Sequence, residues 1–152
     1  MIYINLNENL DIPFPAQLLE NTARFVLEKY SNKNEADITI AIEDDEQLRA
    51  LNQQFLEIDA PTDVLSFPSD EVDPDSGNVY IGDIIISLPT AIQQAQVAGH
   101  PVENEMQLLV THGMLHLLGY DHVTPEAKSE MWAIQASILN QLGVEIKKLP
   151  ED

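Results

Sequence analysis

The chain has 152 residues, seven basic and 26 acidic side chains, a formal net charge of −19, and no cysteine. The length fits one compact domain over residues 1–152, and the hydrophobic content of 44% excludes a disordered chain. Without cysteine, disulfides, thiolate catalysis and cysteine zinc fingers are excluded, so a metal site must use His, Asp or Glu. The negative charge provides no general attraction for membranes or nucleic acid, so RNA binding requires a local site.

The N-terminal segment MIYINLNENL has neither a basic region nor a long apolar run, and so does not resemble a signal peptide. No apolar run in the sequence approaches the roughly 18 residues that span a bilayer. We therefore expect a soluble, cytoplasmic protein with no membrane partner.

Apolar residues recur with the spacing of strands and of helices in turn along the chain. The predicted elements of the first half are, in order, a strand over 2–6, a helix over 18–29, a turn over 31–34, a strand over 38–42 and a short helix over 48–55. The short helix follows Asp44, which forms the pattern of a capping box with Gln47.

The predicted elements of the second half are a strand over 64–67, an acidic loop over 69–78, a strand over 80–87, and helices over 89–99, 103–118 and 125–143. The run from Ile84 to Ile86 is too apolar for an exposed edge, so its strand is expected inside the sheet. Thr124 and Pro125 begin the last helix, in which four apolar residues recur at helical spacing and are assigned to the core: Trp132, Ile134, Ile138 and Leu142. We predict an α+β fold with a four-stranded mixed sheet and about five helices.

Three of the four histidines fall within eleven residues. His112 and His116 are four residues apart on a predicted helix, so their rings project from one face with Cβ atoms about 5–6 Å apart. Gly119 can end this helix and turn the chain back, which brings His122 within reach as a third ligand. Because zinc binds imidazole nitrogens at about 2.0–2.1 Å, we predict one zinc ion per chain on these three residues, although three imidazoles also suit nickel or copper. The fourth histidine, His100, lies in a Gly-His-Pro loop and is not predicted to be a ligand.

Three imidazoles leave one tetrahedral position open, because the chain has no Cys and no further His nearby. Open sites are typical of catalysis, in which zinc lowers the pKa of its bound water to about 7 and makes hydroxide available. The sequence does not identify a catalytic side chain: either zinc-bound water suffices, or Asp121 assists by orienting one imidazole. Asp121 is equally explained as a solvated turn residue.

The spacing His-x-x-x-His-x-x-Gly-x-x-His is also that of the metzincin proteases, which place a Glu general base directly after the first His. Here that position is Gly113, which has no side chain. The metal-binding pattern is present without the peptidase base, so proteolysis is disfavoured.

The segment 112–122 resembles the signature of the YbeY family, bacterial metal-dependent endoribonucleases of rRNA maturation and ribosome quality control. Residues 61–68 (PTDVLSFP) resemble a second block of that family and residues 82–87 (GDIIIS) a third. The resemblance implies a zincin-like α+β domain with zinc on the three histidines. It also implies hydrolysis of single-stranded RNA, including the 3′ end of the small-subunit rRNA.

Three other residues in or near the matching blocks are candidates for a substrate groove: Ser66, Asp83 and Glu105. The alternatives are hydrogen bonding at strand ends for the first two and a salt bridge for Glu105. One departure concerns the Arg that the family usually carries five residues before its Pro-Thr-Asp block, where this chain has Leu56. A guanidinium there would suit a phosphate oxygen, whereas Leu does not, and Arg49 lies two turns earlier on the predicted helix.

Eleven of the 26 acidic residues lie within 43–75, where Arg49 is the only basic residue. We therefore expect weak unspecific RNA binding and recruitment through a ribosomal subunit or a protein partner, Mg²⁺ bridges, or the zinc itself. Two hypotheses stay open. The first is a zinc-dependent single-strand endoribonuclease, and the second is a ribosome-assembly binding factor with a structural or vestigial metal. Leu56 and the net charge favour the second.

Overall fold

The computed structural model describes residues 1–31 and 36–150. Within these ranges its elements are β1 Ile2–Leu6, α1 Ala16–Tyr30, β2 Ala36–Glu43, α2 Asp45–Leu56, β3 Val64–Val72, β4 Val79–Ser87, α3 Leu88–Ala98, α4 Val102–Leu117 and α5 Pro125–Gln141. The strands form one sheet in the order β1-β2-β4-β3. β1, β2 and β4 are parallel, and β3 is antiparallel to β4. The predicted α+β fold, with a four-stranded mixed sheet and five helices, is confirmed.

The core lies between one face of the sheet and the helices. Ile38, Ile40 and Ile42 of β2 are fully buried and alternate with half-buried residues, as expected for a strand with one well-covered face. Ile84 and Ile86 of β4 pair with Ile40 and Ile42 and are equally buried. Burying one such side chain contributes about 1.5–3 kcal/mol, so this face of the sheet determines where the helices pack.

Helix α4 packs on this buried face at close range. The approach is possible because residue 113 is glycine: a Cβ there would lie only 2.9 Å from Cγ2 of Ile84. Most of α4 is buried, including Met114 and Leu115 at 0% exposure. His112 and His116, four residues apart, are only half-buried and lie on a part of α4 that the core leaves accessible.

Helices α2 and α5 begin at the predicted caps. Asp44 accepts a hydrogen bond from Gln47 N at 2.8 Å, and Thr124 accepts one from Ala127 N at 3.1 Å. Residues 32–34 of the predicted turn lie outside the described residues. No helix in the described ranges combines the length and the apolar character that crossing a membrane requires.

The acidic segment predicted as a loop over 69–78 is partly strand. β3 continues through Pro68 to Val72, with an irregularity in its pairing between Pro68 and Glu71. β3 lies at the edge of the sheet, where proline and charged side chains are tolerated because one side of the strand makes no ladder hydrogen bonds. The loop prediction was wrong for these residues because local composition does not reveal which strand is an edge.

Candidate metal centre and its cavity

His112, His116 and His122 lie together at the C-terminal end of α4. Each offers a ring nitrogen, and these three atoms lie within 4.8 Å of one another. Nε2 of His112 is 3.1 Å from Nε2 of His116, and the ring of His122 lies 5.6 Å and 5.1 Å, between centroids, from the other two. Two nitrogens bound tetrahedrally to one zinc ion are about 3.3 Å apart, so the arrangement fits a shared ion.

The backbone after α4 brings the third histidine back. Tyr120 N donates to Leu115 O at 3.0 Å, which closes the last turn of the helix. The intervening Gly119 has φ of +100°, a backbone conformation that side chains disfavour. The chain therefore reverses direction within three residues, and His122 packs beside the two helical histidines.

A buried amide on α5 orients the ring of His112. Nδ1 of His112 lies 3.0 Å from Oε1 of Gln135, whose exposure is 3%. An amide oxygen only accepts, so Nδ1 carries the proton and the lone pair of Nε2 faces the other histidines. Asp121, for which the sequence left open an orienting role or a solvated position in the turn, is exposed and accepts from Val123 N at 3.3 Å within the turn. Gln135 is therefore the residue that orients the ring of His112, and it was not predicted from the sequence.

Electrostatics keep the centre of the cluster neutral. Burial, followed by the charges of the neighbouring His112 and His122, lowers the pKa of His116 to about 4. A neutral imidazole presents the lone pair that a metal ion needs. The ring nitrogen of His116 is therefore suited to bind a cation near neutral pH.

Trp132 forms part of the site, although its helical spacing assigned it to the core. Its half-buried ring packs edge to face against His112 and His122, at centroid distances of 5.6 Å and 5.4 Å. The ammonium of Lys128 lies 5.3 Å from the centre of the same ring. Periodicity identifies the side of α5 that turns inward, but it does not show that α4 leaves a cavity beside this ring.

A cavity of about 250 Å³ opens on His112 and His122. Its other lining residues are Thr62, Asp63, Val64, Leu108, Leu109, Trp132, Gln135, Leu149 and Pro150. Asp63 is the one acidic residue among these described lining residues. Its Oδ1 accepts from Val64 N at 2.8 Å, and burial raises the pKa of its carboxyl. In the sequence, Asp63 stands out only as a member of the block 61–68 that resembles the family. That resemblance was the one feature that could have identified it.

Comparison with known proteins adds to this geometry. The family described as Endoribonuclease YbeY matches residues 4–143. The chain belongs to the YbeY family. A relative from Heliobacterium modesticaldum is 44% identical over 139 residues, which cover 84% of this chain and 83% of the relative. A relative from Renibacterium salmoninarum is 40% identical over 143 residues, which cover 90% of each chain. Both are named Endoribonuclease YbeY.

The fold is shared with a solved structure as well. A Thermotoga maritima protein solved in solution is similar with a TM-score of 0.60 and 27% identity, over 99% of this chain and 97% of that one. The family and the relatives are named endoribonucleases, which are hydrolases that act on RNA, so the predicted family and enzyme class are confirmed.

Two of the candidate groove residues of this YbeY-family chain, Ser66 and Asp83, lie on opposite faces of the sheet. Ser66 pairs with Ile84, which faces Gly113 of α4, so Ser66 lies on the face of the sheet that carries the histidine helix. Asp83 lies between Gly82 and Ile84 in β4. Because neighbouring side chains of a strand point to opposite faces, the side chain of Asp83 points to the face of the sheet away from α4. There its carboxylate accepts a hydrogen bond from the Tyr80 hydroxyl, and burial together with this bond raises the pKa of Tyr80 to about 12. The placement of Asp83 does not support a role beside the metal site.

Glu105 does not line the cavity either. Its side chain is 0% exposed, and its Oε1 accepts from Nε2 of His100 at 2.7 Å. Nδ1 of His100 accepts from Lys147 N at 3.1 Å, so the imidazole has one proton and is neutral. The bond is therefore a buried hydrogen bond, not the groove contact or salt bridge that the sequence suggested. Through these two bonds His100 links Lys147 of the C-terminal segment to Glu105 in the first turn of α4, and burial raises the pKa of Glu105.

The position of the missing arginine lies on α2. Leu56 ends this helix with 54% of its surface exposed. Arg49, two turns earlier on the same helix, lies on an exposed face and donates to the exposed Asp59 at 2.7 Å. The guanidinium on α2 is therefore already bonded to a carboxylate.

Proposed function

We propose that this chain is a zinc-dependent endoribonuclease that cleaves single-stranded RNA in the cytoplasm. Its substrates include the 3′ end of the small-subunit rRNA, in rRNA maturation and ribosome quality control. The observation that carries the proposal is the cluster of His112, His116 and His122 beside a cavity that His112 and His122 line, in a member of an endoribonuclease family. The zinc stoichiometry is one ion per chain.

The donor set suits this ion. All three ligands are imidazoles, and the chain has no cysteine that would close the site. A zinc ion held there supplies Lewis-acid activation of water and of a phosphate oxygen. Gln135 orients His112, and the buried surroundings of His116 keep its nitrogen unprotonated.

We assign the role of proton acceptor to Asp63. Its carboxylate lies on the wall of the same cavity, and its raised pKa brings it closer to the pH at which a general base works best. The bonds from Val64 N and from the Gln94 side chain hold the carboxylate in place. Asp63→Asn preserves the shape and removes the base, so we expect a loss of cleavage rate of about 10²–10⁴-fold with zinc retained.

The charge of the chain determines how RNA arrives. A net charge of −19 opposes unspecific binding, so we propose recruitment through a ribosomal subunit or a protein partner. Contact with the phosphate then depends on the zinc and on local groups, since Leu56 stands where the family Arg would be.

A second candidate is a ribosome-assembly binding factor whose metal is structural. The exposed Leu56 favours it, because the position that would carry a phosphate-binding guanidinium offers only an apolar side chain. This candidate predicts stoichiometric metal and RNA binding without cleavage.

Metal content by mass spectrometry, paired with cleavage of an end-labelled unstructured RNA, separates the two candidates. His116→Ala should lose both zinc and cleavage. His100→Gln is the matched control, because it alters the one histidine outside the cluster: it should lose stability but keep zinc. Cleavage that persists in His116→Ala after chelation would overturn the metallonuclease. Stoichiometric zinc without RNA cleavage would support the second candidate, the ribosome-assembly binding factor.

A further inference from the structure

A second, larger cavity continues from the metal site along α5. It has a volume of about 570 Å³ and lies between α5 and the segment 143–149. Trp132, Gln135 and Leu149 line both this cavity and the one that opens on the histidines. The two spaces therefore adjoin, and we name the larger one the α5 groove. We propose that the α5 groove binds an unpaired nucleobase of the RNA strand whose phosphate lies at the histidine cluster. This inference rests on the proposed function.

The lining of the α5 groove suits a flat, largely apolar ring with polar edges. Ala136, Leu139 and Ile146 provide apolar walls, and the amide of Asn140 lies among them. Small-molecule sites have volumes of about 300–1,000 Å³ and combine apolar walls with a few polar groups. A nucleobase matches this composition, whereas a bare phosphate chain does not.

Trp132 stands where the groove meets the metal cavity. Its ring is held by edge-to-face contacts with two histidines, so it forms a rigid surface at this junction. Stacking of a base on an aromatic side chain is typical of proteins that bind single strands, and it tolerates any base. Paired bases are already stacked and cannot enter, which provides a physical reason for a preference for single strands.

The distribution of basic residues favours RNA over an apolar peptide as the occupant. One of the seven basic residues, Lys128, lies over the ring of Trp132, which lines the α5 groove. Lys147 and Lys148 belong to the segment 143–149 that forms the opposite wall, but neither is a lining residue, and Lys148 lines another cavity. Glu145 pairs with Lys147 at 3.0 Å on the exposed rim and offsets part of this charge. In a chain with a net charge of −19, the ammonium of Lys128 beside Trp132 is a local positive charge that suits the phosphate of a nucleotide better than an apolar peptide.

The wall formed by the C-terminal segment is anchored before any ligand binds. Lys147 N donates to the buried His100, and Asn104 Nδ2 donates to Glu145 O at 2.8 Å. A groove that is already ordered loses less entropy when a base enters.

The fluorescence of Trp132, the single tryptophan, reports on the groove directly. We would titrate metal-free His116→Ala protein with a single-stranded RNA hexamer and with an abasic oligomer of equal length. Ala136→Phe fills the groove from an exposed position of α5, and Ala133→Phe is the matched control, because Ala133 is exposed on the same helix outside the groove. We expect saturable quenching by the hexamer, weakened about tenfold or more by Ala136→Phe and changed less than twofold by Ala133→Phe.

Equal affinities of the two Phe variants, or equal quenching by the abasic oligomer, would overturn the proposal. Quenching by an apolar hexapeptide as strong as that by the RNA would overturn it too. Because the titration uses a protein without its metal, it does not depend on cleavage. Absence of zinc-dependent cleavage in the parent chain would refute the proposed function and leave the nucleobase site standing.

Discussion

Replacing Gly113 by alanine adds one methyl group to the face of α4 that packs against the sheet. An ideal Cβ at residue 113 would lie 2.9 Å from Cγ2 of Ile84 and 3.1 Å from its Cγ1 and Cδ1. Ile84 is 0% exposed and surrounded by other core side chains, so its branched carbons cannot move aside freely. The substitution therefore forces α4, with its two histidines, away from the strand.

Two opposing terms determine the size of the effect. Extra methyl groups in a packed core cost about 1–3 kcal/mol, and alanine favours a helix over glycine by about 1 kcal/mol. We expect Gly113→Ala to destabilise the parent by up to about 2 kcal/mol. After Ile84→Ala the clashing carbons are absent, so Gly113→Ala should stabilise by about 1 kcal/mol. Ile84→Val is the control, because valine retains both γ carbons and should preserve most of the penalty.

The assay is urea unfolding followed by circular dichroism, with and without Gly113→Ala in the parent, Ile84→Val and Ile84→Ala backgrounds. We expect Gly113→Ala to lower the free energy of unfolding in the parent and to raise it in the Ile84→Ala background. Similar stabilisation in all three would refute the tight contact between α4 and β4. By the same geometry, Gly113→Glu, which reproduces the metzincin pattern, should disrupt the packing of α4 and produce no peptidase.

Three further predictions concern the site. Gln135→Leu removes the acceptor that orients His112 and should weaken zinc binding about 10–100-fold in competition with a chromophoric chelator, whereas Gln135→Glu should retain it. The pKa of His116 is about 4 in the folded chain against an ordinary value of about 6.5, so the folded state binds fewer protons between these values. The metal-free protein should therefore lose stability as the pH falls from about 6.5 towards 4, measured as a fall in the urea midpoint of unfolding. The variant His116→Asn should not show this dependence on pH. Bound zinc should dissociate over the same pH range. Leu56→Arg, compared with Leu56→Gln, should increase RNA cleavage at least about tenfold by supplying a phosphate contact, and equal rates for the two variants would show that this position does not meet RNA.

The sequence by itself determined the features that depend on neighbours in the chain. The four-residue spacing of His112 and His116 places both rings on one side of a helix, and Gly119 permits the reversal that returns His122. The caps at Asp44 and Thr124 follow the same logic, because a side chain there bonds to a backbone N–H only three residues away. Such geometry is local, and so it can be predicted before the fold is known.

Only the tertiary structure decided which distant segments share a surface. Asp63 and Trp132 are far apart in the chain and line one cavity, because α5 packs on α4 beside the start of β3. Glu105 lies on the same helix as the histidines, yet it faces His100 in the core. Asp83 is directed to the far face of the sheet by the pairing of β4. The periodicity of apolar residues predicts which side chains of an element are buried. Which residues those side chains contact depends on packing between elements that are far apart in the chain.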